Sequence, residues 1–150
     1  MTTEAKFKYA LKEMMLSKPL EEINVTVLCD KCACHRQTFY YHYQDIYDLL
    51  AAIFLNEDIE GLEKAKDAEE ALGAFLNYAK ENFVFLRSSY NSAAHDLVDD
   101  FFYSKIMKVL EAHKDWDLSD YGYSLNAPAP KAEASNDTPA KDEPSDNSGK

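Results

Sequence analysis

The 150-residue chain carries 16 Lys and Arg against 27 Asp and Glu, a formal net charge of −11. So acidic a chain cannot coat nucleic acid by bulk charge, and any DNA contact must be local and geometrically specific. Its 46% hydrophobic and 13% aromatic residues suffice for one domain-sized core. No run approaches the roughly 20 apolar residues of a membrane span, and the opening MTTEAKFKYALKE lacks the apolar stretch of a secretory signal. The expectation is a cytoplasmic protein with no membrane partner. Cys29, Cys32 and Cys34, odd in number and too close together for a disulfide framework, agree with a reducing compartment.

In chain order, Phe7, Ala10, Leu11 and Met14 recur at i, i+3, i+4, i+7 and predict a first amphipathic helix ending near Ser17. The chain turns at Pro19. Asn24 can cap a short second helix whose stripe is Val25, Leu28, Cys29 and Cys32. After a break at Ala33 and Cys34, HRQTFYYHY forms a third short helix with Phe39 inward. Asp45 with Asp48 resembles a capping pair and opens a longer fourth helix through IYDLLAAIFLNEDIEGLEK, packing by Leu49, Leu50, Ile53 and Phe54.

Asp67 with Glu70 marks a fifth start, with Leu72, Phe75, Leu76 and Ala79 as the stripe. ENFVFLRSSYN reads as a shorter helix. The last runs from about Ala93 to His113 with Leu97, Val98, Phe101, Ile106, Val109 and Leu110 buried. From Asn126 to Lys150 there is no Val, Ile, Leu, Met, Phe, Trp, Tyr or Cys, and four of the five prolines lie there, so residues 126–150 are expected to form a disordered tail. No stretch alternates like a half-buried strand, and the fold class is all-α.

Two short helices joined by a tight turn and leaning on a preceding helix are the layout of a helix-turn-helix, whose second member enters the major groove. Here that member, residues 35–42, presents His35, Arg36, Gln37, Thr38, Tyr40, Tyr41 and His42, all able to donate hydrogen bonds to phosphates or base edges. Arg36 and Gln37 suit bidentate contact with guanine and adenine.

The run INVTVLCDKCACHRQTFYYHYQDIYDLL, Ile23 through Leu50, resembles the N-terminal DNA-binding domain of TetR/AcrR-type transcriptional regulators. The likeness rests on Asn24-Val25, Ala33-Cys34-His35, the block Phe39-Tyr40-Tyr41-His42-Tyr43, Asp45 and Leu49-Leu50, and it covers about the first 55 residues. It implies a three-helix head, residues 1–50, joined by the fourth helix to a C-terminal helical domain, residues 51–125, that senses a small-molecule or protein effector and dimerises. By the same resemblance Asn24 and Thr26 would touch phosphate, aided by the helix N-terminus. Arg36, Gln37 and Thr38 would face bases, and Tyr40, Tyr41 and His42 would meet phosphates or thymine methyls. The partners implied are operator double-stranded DNA and a second copy of the chain.

This sequence departs from the family at three points. Ala33 stands where the turn has glycine, and Gln44 where a lysine is common. The family ends in two long helices, whereas here the chain passes from His113 into DWDLSDYGYSLN, so the C-terminal domain reads as shortened. Residues 1–55 hold six Lys and Arg against seven Asp and Glu.

Cys29, Cys32, Cys34 and His35 could be read as zinc ligands, but Cys29 and Cys32 continue an apolar stripe and the second Cys-x-x-Cys of a zinc ribbon is missing, so a core role is expected. The aromatics of the second half are expected in the core rather than in a ligand pocket. No glycine-rich phosphate loop, nucleophile elbow or His-Glu metal motif occurs, so no enzyme, no cofactor and no metal are expected. The alternative to a DNA reader is a TetR-like co-regulator or interaction protein that has lost strong DNA binding.

Overall fold

The computed structural model describes residues 1–117. The expected tail, residues 126–150, and the end of the C-terminal domain lie outside the described residues. Those described are all-α, with seven helices and no strand. They are α1 (Thr3–Met14), α2 (Val25–Cys32), α3 (Arg36–His42), α4 (Ile46–Asn56), α5 (Ala68–Glu81), α6 (Phe83–Tyr90) and α7 (His95–Ala112), with a 3-10 turn at Leu20–Glu22 between the first two.

The helix starts follow from short polar side chains that satisfy otherwise unpaired N–H groups. Thr2 accepts from the Ala5 amide at 3.1 Å, and Asn24 from Val27 at 2.9 Å. Asp45 accepts from Asp48 at 2.8 Å while the Asp48 carboxylate reaches back to the Gln44 amide at 2.9 Å. Asp67 and Glu70 repeat the arrangement, the Glu70 carboxylate accepting from Lys66 at 2.8 Å. Helix α1 stops at Met14, three residues before the expected end, and continues as turns to Lys18.

Helix α4 ends at Asn56, well short of the expected reach through Lys64. Glu57, Asp58 and Glu60 follow at once, and negative charge is unfavourable at a helix C-terminus. The chain instead turns at Gly61, whose φ of 83° suits glycine, and buries Ile59, Leu62 and Ala65.

The core is one continuous cluster that holds two aromatic groups. In the first, Phe7 of α1 meets Phe39 of α3 edge-on at 5.4 Å, with Tyr43, Leu11, Leu28, Leu49 and Leu50 around them. In the second, Phe54 of α4 stacks on Phe85 of α6 at 5.2 Å and touches Phe101 of α7, which contacts Tyr78 of α5. Helix α4 runs from one group to the other and ties the first three helices to the last three.

The packing face of α5 is the expected one only in part, with Phe75 and Ala79 against the core. Ala71, Ala74 and Tyr78 point inward with Phe75 at the margin, while Leu72 and Leu76 are 50% and 60% exposed. The two stripes differ by one residue, or about 100° around the helix, and bulky Tyr78 reaches the aromatic cluster where Leu76 would not. On α7, Val98 and Phe101 are buried and Leu97 and Val109 pack at the margin, but Ile106 is exposed. Among the other aromatics of this half, Phe102 is partly buried, and Phe83, Tyr90 and Tyr103 are exposed rather than in the core.

Candidate nucleic-acid interface

Between α2 and α3 the chain reverses at Ala33, which takes the left-handed conformation with φ 53° and ψ 40°. The Cys34 amide then donates to the Cys29 carbonyl at 3.0 Å, closing the end of α2 and aiming α3 across it. His35 precedes α3 at its N-cap position without a side-chain capping bond, and its carbonyl accepts from Thr38 and Phe39. Only Phe39 of α3 is fully buried, and it anchors the helix on Phe7.

With Phe39 inward, the 100° step per residue places Gln37 and Tyr41 on the outward crest. Tyr41 is 85% exposed. Arg36 and Tyr40 lie on one flank, where they line a groove of about 390 Å³ together with Asn24 and Thr26 from the start of α2. The groove unites four of the nine residues singled out from the sequence, and Gln37, Tyr41 and His35 are exposed beside it. Asn24 uses its side-chain oxygen on Val27, which leaves its amide group as a donor.

Thr38 and His42 lie on the opposite flank and are half-buried rather than outward. His42 Nδ1 is 3.2 Å from Glu4 of α1, and its ring packs edge-on against Tyr41. His42 sits one step beyond the crest and so meets α1, against which it holds α3. Tyr47, at the start of α4, also lines the groove and was missed by the sequence reading. Its position two residues after the capping Asp45 was the available signal.

The electrostatic supply is small. Lys31 is 3.4 Å from Glu13 and Lys12 is 3.2 Å from Glu57, so both are committed within the protein. Arg36 is the only basic side chain in the groove.

Cys29 is buried, and Cys32 and Cys34 pack at the margin of the core, all three as free thiols. Burial, ahead of the neighbouring thiols, pushes Cys29 and Cys32 above the ordinary thiol value. The Cys34 thiol faces the Cys32 carbonyl at 3.4 Å. Among the described residues no three His, Cys, Asp or Glu side chains gather as a metal site would require. Nor is any described helix long and apolar enough to cross a membrane.

The described residues thus place three short helices on α4, which leads into the three that follow. No protein-family model matches this chain, and no curated protein matches it. Among solved structures it is similar to the dihydroxyacetone kinase operon activator DhaS, with a TM-score of 0.55 and 23% identity over 80% of this chain and 72% of that one. The likeness is one of fold.

Proposed function

We propose that this chain is a TetR-like DNA-binding transcription regulator. Residues 1–50 form the reading head, and residues 51–125 a helical domain that senses an effector or partner and pairs two copies. The carrying observation is the groove in which Asn24, Thr26, Arg36 and Tyr40 converge beside the exposed crest of Gln37 and Tyr41. Amide, hydroxyl and guanidinium donors brought together next to an outward-facing short helix suit phosphate positioning and base-edge contact at once. The fold shared with an operon activator supports the same reading.

In a homodimer the two α3 helices would have to lie about 34 Å apart to enter successive major grooves. An effector that changes the tilt of α4 would change that spacing and shift the population competent for DNA. A cytoplasmic location accords with this role.

The second reading, a co-regulator with weak or no DNA binding, is favoured by the commitment of Lys12 and Lys31 to internal ion pairs. Anisotropy selection of random duplexes, followed by Arg36→Ala and Gln37→Ala on any enriched site, separates the two. An enriched sequence weakened by both substitutions supports the reader, and no enrichment at low salt supports the co-regulator.

A further inference from the structure

Helix α5 turns Ala71, Ala74 and Tyr78 to the core, and the 100° step per residue puts Glu69, Gly73, Leu76 and Lys80 on its outward crest, with Leu72 beside them. Their spacing of four, three and four residues is that of the seam between two paired helices. Leu72 and Leu76 are 50% and 60% exposed, and Phe83, just past the end of the helix, is 59% exposed. Large apolar side chains in line on one solvent face form a patch rather than a scatter.

Gly73 stands in the middle of this crest. Glycine inside a helix costs stability relative to alanine, and nothing in the single chain requires it, since a methyl group at Gly73 would meet no atom within 4 Å. Its use on an outward face is to let another helix come close. The charges at the two ends of the crest, Glu69 and Lys80, make no ion pair among the described residues. They lie about 16 Å apart along the axis, too far to pair with each other. Each suits its own end of the helix macrodipole, which accounts for their signs but not for the leucines and glycine between them.

We propose that the α5 crest is the surface on which a second copy of this chain docks, antiparallel, about a two-fold axis passing between Ala74 and Phe75. A two-fold interface must be complementary to itself, each residue meeting in the partner the one that meets it in return. On this axis Glu69 lies against the partner's Lys80 and Leu76 against the partner's Gly73, each contact occurring twice. A parallel copy would set acid against acid and base against base. Past Lys80 the contact continues into a second groove of about 390 Å³, which Lys80 and Phe83 share with Tyr9 and Leu16. There the start of the partner's α5 covers apolar surface that a single helix pair would leave open, toward the area a stable dimer needs. This rests on the pairing of two copies in the DNA-reader proposal and assigns that pairing to α5 rather than to helices at the end of the chain.

Sedimentation equilibrium of the full chain at micromolar concentrations tests the surface without DNA. A reversible dimer is expected, weakened at least tenfold by Leu76→Glu, which puts an acid on the seam at an exposed position. Glu69→Lys and Lys80→Glu each set like charges together twice per dimer and are expected to weaken it about tenfold. The double reversal, Glu69→Lys with Lys80→Glu, is expected to return affinity to within about threefold of the unaltered chain. Both reversals oppose the macrodipole of α5, so a merely helix-stabilising role predicts that the double variant is the worst of the three, by circular dichroism and by sedimentation alike. A monomer throughout, or a double reversal no better than the single ones, overturns the proposal. A dimer that all these substitutions leave unchanged refutes this surface and keeps the pairing of two copies. A dimer with the expected signature that selects no duplex keeps the surface and refutes the DNA reader.

Discussion

Replacing Ala33 by glycine tests the turn that aims α3. Ala33 holds φ 53° and ψ 40°, a conformation that costs an L-residue roughly 1–2 kcal/mol. Its side chain is exposed, so removing the methyl group sacrifices no packing. Glycine relieves the strain but gives the unfolded chain more freedom, an opposing effect of about 0.4–1 kcal/mol. The net expectation for Ala33→Gly is a gain of about 0.5–1 kcal/mol, or a Tm raised by about 2–6 °C at this size. Urea unfolding followed by circular dichroism should show a higher midpoint at unchanged slope. Ala33→Val, β-branched at the same φ, should lower it. An unmoved or lower midpoint for glycine, or a neutral valine, would refute the left-handed turn.

Phe39→Ala should cost about 3–5 kcal/mol, since the ring is fully buried against Phe7, Tyr40 and Tyr43, and chemical denaturation would reveal a smaller loss as evidence against that core. The raised Tyr78 phenol predicts a stabilising contribution that is complete below the ordinary tyrosine value of about 10 and is lost as pH rises above it, because the unfolded chain gives up that proton first. Alkaline unfolding should therefore be less steep in Tyr78→Phe, and identical pH profiles would contradict the burial of that hydroxyl. Cys29, buried and raised, should be the slowest of the three thiols to react with iodoacetamide at pH 8 and should become accessible on unfolding, as mass spectrometry of the labelled peptides would show.

Local chemistry made much of the fold legible. Asn24, Asp45 and Asp67 announce helix starts because a short acceptor before an apolar stripe has one evident task, and all three cap as expected. Phe39 reads as core from its place between outward polar residues. The face of α5 was legible only in part, because Leu72, Phe75, Leu76 and Ala79 obey the same periodicity as Ala71, Ala74, Phe75 and Tyr78, and only the neighbouring aromatic cluster decides between them. Just past the early end of α4, Glu57 meets Lys12, a residue 45 positions away that no local pattern announces.

In the candidate site, residue types were legible but their sidedness was not. Arg36 and Tyr40 fall into the groove with Asn24 and Thr26, whereas His42 turns to Glu4, a partner on another helix. Tyr47 joins the groove from the start of α4, and its place two residues after the capping Asp45 was its one sequence signal.

The central claim is that the Gln37 and Tyr41 crest with its Arg36 flank reads duplex DNA. The most direct measurement is fluorescence anisotropy with a selected duplex across a salt series. Arg36→Ala and Gln37→Ala should each cost roughly 1–3 kcal/mol and relax specificity at one position. The salt slope should be shallow, about −2 to −4 for a dimer, because so few cations are free to meet phosphates. A duplex bound equally well by both variants, or no selected duplex at low salt, would contradict the account.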